Sequence, residues 1–162
     1  MSARGSECNC QALRAAARHI TQAYDQFLAP TGLRTTQFTI LARLKRKGPL
    51  TINALADEMV MDRTTLGRNV RPLARDGLIR ITPAAADRRA KELHLTRAGE
   101  QRFQAGRKGW AAAQARFASA YGTRRAAELR GLLRAVVTGD FTPVAMTSRR
   151  HRPRRRAIQY AE

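Results

Sequence analysis

Apolar residues recur at helical spacing from Cys8 to Leu28, at Leu13, Ala16, Ile20, Tyr24, Phe27 and Leu28, which predicts a helix with one stripe to bury. Pro30 and Gly32 end it. Thr35 to Lys47 repeats the pattern with Phe38, Leu41 and Leu44 on one face, and Gly48-Pro49 stops it. Two shorter helices follow. Thr51 is placed to cap Ile52 to Met59, and Asp62 to cap Arg63 to Arg75, each by accepting from a free first-turn N–H. Leu66, Val70 and Leu73 fall at i, i+4 and i+7 and should face inward, and Gly77 supplies a left-handed stop. Then the period changes. Leu78 to Thr82 and Lys91 to Leu95 read as short strands around a Pro83 to Ala90 loop. Thr96 starts a long helix running to about Tyr121, striped by Phe103, Trp110, Phe117 and Tyr121. Gly122 and Thr123 break it, and Arg124 to Val137 makes a final helix with Leu129, Leu132, Leu133 and Val136 expected inward.

This order predicts a mainly α fold with a small β-hairpin wing, that is, a winged helix-turn-helix plus a helical dimerisation region. The expected divisions are a disordered N-terminus at 1–7, a dimerisation helix within 8–34, the winged module at 35–96, dimerisation helices at 97–139, and a basic, flexible tail at 140–162 containing the run RRHRPRRR. No internal repeat is apparent. The aromatic stripe of the 96–121 helix exceeds what one small winged module can cover, so a second copy of the chain is expected against it. An intrachain helical bundle is the alternative.

Charge changes the picture from a fold to a partner. The chain of 162 residues carries 31 Lys+Arg against 12 Asp+Glu, a formal net charge of +19. That imbalance favours polyanions, and a predominance of arginine suits forked contacts to phosphate and guanine. The cations collect on particular elements. Arg63, Thr64, Thr65, Arg68, Arg71 and Arg75 lie on the polar side of the second short helix. A helix enters the major groove by presenting such a face, usually by its N-terminal end. Thr64 and Thr65 offer hydroxyls and methyl groups, Arg68 a fork for guanine or phosphate, and Arg63, Arg71 and Arg75 flanking phosphate contacts. Gly67 would let the DNA backbone approach. Arg88 and Arg89 occupy the hairpin loop, where a guanidinium can reach a narrow minor groove, and Asp87 is expected to hold an arginine side chain there by a salt bridge. The expected partner is double-stranded DNA.

The runs DRTTLGRNVRPLARDGLI and DRRAKELHLTRAG resemble the MarR family of bacterial transcription regulators, and the likeness extends from about Leu13 to Val137. The resemblance implies an obligate homodimer whose interface is built from the first helix and the last two. Each subunit would present one winged helix-turn-helix. It implies a repressor of neighbouring or its own genes, relieved when a ligand or oxidant alters the spacing of the two reading helices. The family's wing arginine maps to Arg88 with Arg89 beside it, and its reading-helix contacts to the Arg63–Arg71 face. One departure stands out: family wings often carry an acidic residue shortly before DRR, where this chain has Pro83-Ala84-Ala85-Ala86. The wing is therefore expected to be less braced.

Cys8 and Cys10 open the first helix, where backbone N–H groups favour thiolate. They read either as redox-sensing thiols or as small packing residues at an interface. With His19 they are too few and unpatterned for zinc, so no metal is expected. Tyr24, Phe27, Phe38 and Trp110 read as core or as the lining of a small-molecule effector pocket. No phosphate loop, HExxH motif or nucleophile elbow is present, so neither an enzyme nor a cofactor is expected. The chain shows no apolar leader and no bilayer-length apolar run, so no membrane partner is expected and a cytoplasmic location is. The rival to a sequence-specific regulator is a non-specific basic protein that compacts nucleic acid.

Overall fold

The computed structural model describes residues 8–85 and 87–139. The expectations for 1–7 and for the basic tail lie outside the described residues. The described chain divides into two compact units inside its last helix, after Ala126.

In the first unit, helix α1 (Asn9–Leu28) runs through a short 3-10 turn into α2 (Thr35–Lys47). The junction is tied by Asp25, whose carboxylate accepts from the backbone N–H of Thr35 at 2.7 Å, from the Thr35 hydroxyl at 2.8 Å and from Arg34 at 3.1 Å. Thus a residue of α1 caps α2. Strand β1 (Leu50–Thr51) leads into α3 (Ile52–Glu58), and α4 (Arg63–Arg75) follows after a tight turn. Both expected caps form: the Thr51 hydroxyl accepts from Ala54 N–H at 3.1 Å, and Asp62 from Thr65 N–H at 2.8 Å. In the turn between the two helices Val60 has φ +50° and is 71% exposed, an uncomfortable state for a β-branched residue.

The end of α4 is a Schellman motif: Leu78 N–H donates to the Leu73 carbonyl and Gly77 N–H to that of Ala74. Gly77, at φ +70°, makes the reversal that leads into β2 (Ile79–Pro83). Strand β3 (Lys91–Leu95) pairs antiparallel with β2, and β1 adds to its other side through Leu50–Leu93 and Thr51–Glu92, giving the order β1-β3-β2. The expected hairpin is therefore a three-stranded sheet. A two-residue strand is too short to show a period of its own.

Helix α5 (Arg97–Tyr121) starts from Thr96, whose hydroxyl oxygen accepts from Gly99 N–H at 3.0 Å. The same hydroxyl lies 2.7 Å from the Gly77 carbonyl and 3.0 Å from that of Leu78, so the head of α5 is bonded to the chain leaving α4. A Cβ on Gly99 would fall 1.9 Å from the Leu78 oxygen, so this junction requires glycine.

The core gathers Leu28, Ile40, Leu41, Leu55, Leu66, Leu73 and Leu93, all with essentially no solvent exposure. Each such side chain contributes about 1.5–3 kcal/mol by leaving water. The expected inward residues Phe38, Leu41 and Leu44 of α2, and Leu66, Val70 and Leu73 of α4, are all buried. Among the described residues no charged or polar residue is buried.

The last helix, α6 (Thr123–Thr138), corrects one expectation. Leu132, Leu133 and Val136 do not point inward: they are exposed, as is Val137. Much of the α1 stripe is also open, with Leu13, Ala16 and Phe27 exposed. Their helical periodicity marked an apolar face, but a face to be covered is not thereby covered by its own chain.

Candidate nucleic-acid interface

Helix α4 separates its two faces cleanly. Leu66, Val70 and Leu73 seat it on the core, while Arg63, Thr64, Arg68, Arg71 and Arg75 are exposed. Among the described residues, no carboxylate is paired with Arg63, Arg68 or Arg71, whereas Arg75 is held by its neighbour Asp76 at 2.9 Å. Thr65 differs from Thr64. It is half-buried, its hydroxyl bonds Asp62, and its carbonyl accepts from the Asn69 amide at 2.9 Å. The bonds from the Thr65 hydroxyl and N–H, foremost, hold the Asp62 carboxyl below its ordinary range. Asp62 and Thr65 thus brace the leading end of the helix, and Thr64 and the arginines are left to face outward. A Cβ added at Gly67 would meet nothing within 4 Å, so the chain's own packing does not require glycine there.

The wing is braced differently from the sequence reading. No arginine side chain is paired with Asp87 among the described residues; its carboxylate accepts from the backbone N–H of Arg89 at 2.9 Å. Asp87 therefore shapes the loop backbone, in the manner of a short acidic turn residue. The alanine-rich approach also contributes. Ala84 is buried and its N–H donates to the Ala90 carbonyl at 2.9 Å, while Ala90 N–H donates to the Asp87 carbonyl at 2.9 Å. The loop is closed by main-chain bonds in place of an acidic side chain, and Arg88 and Arg89 project from it exposed. At the base of the wing His94 bonds Thr82 across the strands at 2.9 Å and Glu92 at 3.0 Å.

The four residues expected to line one pocket lie in two cavities. Phe38 and Trp110 line a cavity of about 360 Å³ between α2 and α5, with Phe103 and the arginines Arg43, Arg46 and Arg107. Tyr24 and Phe27 line a second, of about 220 Å³, between α1 and α5. Phe38 is itself a core residue, its ring 5.1 Å from that of Phe103 and 6.2 Å from that of Trp110. Cys8 is the residue preceding α1 and Cys10 lies in its first turn; both are exposed, and no disulfide joins them. Among the described residues no group of three His, Cys, Asp or Glu side chains is placed to hold a metal. No described helix is long and apolar enough to cross a membrane.

Sequence reasoning missed one charged residue on the helix that precedes α4. Glu58, at the end of α3, receives Arg43 at 3.1 Å, Arg46 at 3.2 Å and also Lys47, all from α2. The bond from Lys47, then the positive charges of Lys47, Arg43 and Arg46, outweigh the desolvation of the carboxyl and hold Glu58 below the usual glutamate range. Arg43, Arg46 and Lys47 share one face of α2 at i, i+3 and i+4, but Glu58 lies beyond the end of that helix, so no local pattern joined it to them.

A core-seated helix with an unpaired arginine face, preceded by a capped turn and followed by an arginine-tipped sheet, is the architecture of a winged helix-turn-helix protein. The MarR family model matches residues 31–90. The M. tuberculosis transcriptional regulator MosR is 35% identical over 83% of this chain and 98% of its own, with a TM-score of 0.71. A structure of MosR in complex with DNA gives 37% identity over 81% of this chain and 97% of that one, with a TM-score of 0.70. A probable transcriptional regulator from Pseudomonas aeruginosa is 26% identical over 82% and 99% of the two chains, at a TM-score of 0.74. A search of curated proteins found no match. The chain belongs to the MarR family, and it is a transcription regulator of that family.

Proposed function

We propose that the protein is a homodimeric repressor that reads an inverted-repeat operator and leaves it when a small ligand or an oxidant acts on the dimer. The observation that carries the DNA-reading part is the exposed face of α4, where Arg63, Arg68 and Arg71 have no carboxylate partner among the described residues. Arg68 reads a base edge, Thr64 assists it, and Arg63, Arg71 and Arg75 hold phosphates. Arg88, with Arg89, anchors the wing. The likeness to a protein solved with DNA supports the same reading.

The homodimer is supported by the apolar residues that one chain leaves open: Leu13 and Phe27 on α1, and Leu132, Leu133, Val136 and Val137 on α6. Twofold symmetry then sets half-site centres about 10–10.5 bp apart, or a multiple of that. For relief of repression, the two cavities beside α5 are the ligand candidates. Exposed Cys8 and Cys10 at the start of α1 are the oxidant candidates.

A competition footprint on the DNA flanking the protein's own gene tests the reading. A protected inverted repeat of fixed length is expected, and uniform protection would instead identify a non-specific compacting protein. Arg68→Ala should relax preference at one base pair per half-site, a loss of about 1–3 kcal/mol there. Arg88→Ala should weaken all sequences alike and lower the log–log salt slope by about 0.9 per lost phosphate contact. Operator binding repeated after peroxide, with Cys8→Ser and Cys10→Ser, tests the thiols: release that disappears in the variants is the expected sign of a redox response.

A further inference from the structure

Helix α4 holds, in the one stretch from Gly67 to Pro72, the two residue types that favour a helix least. Pro72 is not in the first turn, where proline is tolerated. The helix goes on to Arg75, and Asp76 N–H donates to the Pro72 carbonyl at 2.9 Å, so helical bonding resumes beyond it. Proline has no N–H. The carbonyl four residues back, that of Arg68, therefore loses its helical donor, and the proline ring crowds it. Gly67 stands immediately before Arg68 and leaves the backbone there without a Cβ to restrain it. The chain's own packing does not ask for that glycine, since a Cβ would meet nothing within 4 Å. The residue proposed to read a base edge is thus mounted on the least restrained turn of its helix.

The rest of α4 is held firmly. Asp62 caps its head through Thr65 N–H at 2.8 Å. Leu66, Val70 and Leu73 are buried along its inner side. The bonds from Gly77 and Leu78 close its far end. The slack lies on the outer side, where Arg68 is exposed and Pro72 half-buried. Both Gly67 and Pro72 cost helix stability that alanine would keep, and local costs of that kind are expected where a site needs them.

We propose that Gly67 and Pro72 make the Arg68 turn compliant, and that this compliance sets the range of operators the protein accepts: Arg68 follows its acceptor across more than one base pair while the rest of α4 keeps its register. The inference rests on the reading of α4 as the groove-facing helix. A guanidinium held rigidly discriminates, because a misplaced acceptor leaves a desolvated donor unpaired. On a yielding turn it shifts to meet that acceptor, and flexible binding surfaces are the ones that tolerate several partners. Pro72 is then a positioning residue that acts through Arg68. Its removal should narrow recognition without weakening it.

Pro72→Ala tests this without endangering the fold, because alanine restores the N–H and favours the helix; the variant should melt several degrees higher. Full-length wild type and variant each select from a random-sequence duplex library. Competition anisotropy then compares the selected operator with its single-base-pair replacements. At the base pair where Arg68→Ala loses its preference, the penalty for replacement should grow about threefold to tenfold in Pro72→Ala, within the ordinary range of mismatch costs. Penalties at the other positions should stay as they are. A merely structural role for Pro72 would raise the melting temperature and leave this profile untouched. Amide hydrogen exchange gives a second readout that needs no DNA: Pro72→Ala should slow exchange from Arg68 to Arg71 about tenfold more than it does in α2, the mark of a local opening removed. An unchanged replacement profile overturns the proposal, as does exchange slowed equally in α2 and α4. If the wild type enriches no sequence from the library, it is the regulator reading that fails, and the exchange comparison then decides whether the turn is compliant.

Discussion

The winged module and the helices that flank it solve the same problem in opposite ways. From Leu33 to Leu95 the apolar positions close on one another: Ile40, Leu41, Leu55, Leu66, Leu73 and Leu93 are shut off from water by their own chain. On α1 and α6, positions of the same chemistry and spacing stay open, Leu13 at 40% and Leu132 at 66% exposure. The difference is one of geometry. Three short helices set at angles around a small sheet enclose a volume, whereas a long helix buries at most the stripe that its neighbours reach. The first arrangement is complete in one chain. The second is why we propose a second copy.

The largest expected effect separates the two regions outright. Leu66→Ala should lower stability by about 3–4 kcal/mol at any protein concentration, as for other fully buried leucines. Leu132→Ala should change stability by less than about 0.5 kcal/mol in dilute protein, and should lower the melting temperature only at concentrations where subunits associate. Equal losses in thermal melts at high dilution would erase the distinction. Next in size is Gly99→Ala. Its Cβ would strike the Leu78 carbonyl oxygen at 1.9 Å, so a loss of about 1–3 kcal/mol is expected, as for other overpacked sites. Chemical denaturation measures it, and an unchanged midpoint would mean that the head of α5 can shift freely.

Gly67→Ala sharpens the contrast within the module itself. An added methyl meets nothing in the chain, so helix stability should rise by up to about 1 kcal/mol. On the proposed reading of α4 as the groove-facing helix, operator affinity should fall nonetheless, because DNA would occupy the space beside Gly67. A rise in both would remove Gly67 from the interface. The smallest effect is graded. Asp25, Glu58 and Asp62 all titrate below their ordinary values: at Asp25 desolvation is outweighed by the Thr35 and Arg34 bonds, at Glu58 the Lys47 bond leads, and at Asp62 the Thr65 bonds lead. A carboxylate with a lowered folded value adds stability that is fully present above its unfolded value and lost as pH falls through the folded one. Stability should therefore be level near neutrality and decline only in the acid range below pH about 4. Replacing Asp25 and Asp62 by asparagine should flatten that decline in melts taken across pH.

Much of the module was legible because its signals are local. The bounds of α2 and α4, the caps at Thr51 and Asp62, and the stop at Gly77 each depend on a few adjacent residues. What escaped depends on residues far apart in sequence. β1 exists only because Leu50 finds Leu93. The supposed single pocket divides because Tyr24 and Phe27 line a cavity between α1 and α5, and Phe38 and Trp110 one between α2 and α5. The Asp87 expectation failed for a different reason: beside two arginines an aspartate invites an ion pair, but a short acidic side chain in a turn reaches its own backbone first. The strained Val60 turn has no sequence signal at all, since a valine is the last residue expected at positive φ.

Thr96 gives the molecule its leverage. Its hydroxyl joins the first turn of α5 to the carbonyls of Gly77 and Leu78, the residues that lead away from α4. Helix α5 is 25 residues long, a rod of about 37 Å at 1.5 Å per residue. With the rod pinned at one end, a tilt of a few degrees that moves its far end by about 2 Å arrives at the pin almost wholly as rotation. On the proposed reading of α4 as the groove-facing helix, such a rotation would turn it in place and re-aim a guanidinium away from a base edge before shifting the domain that carries it.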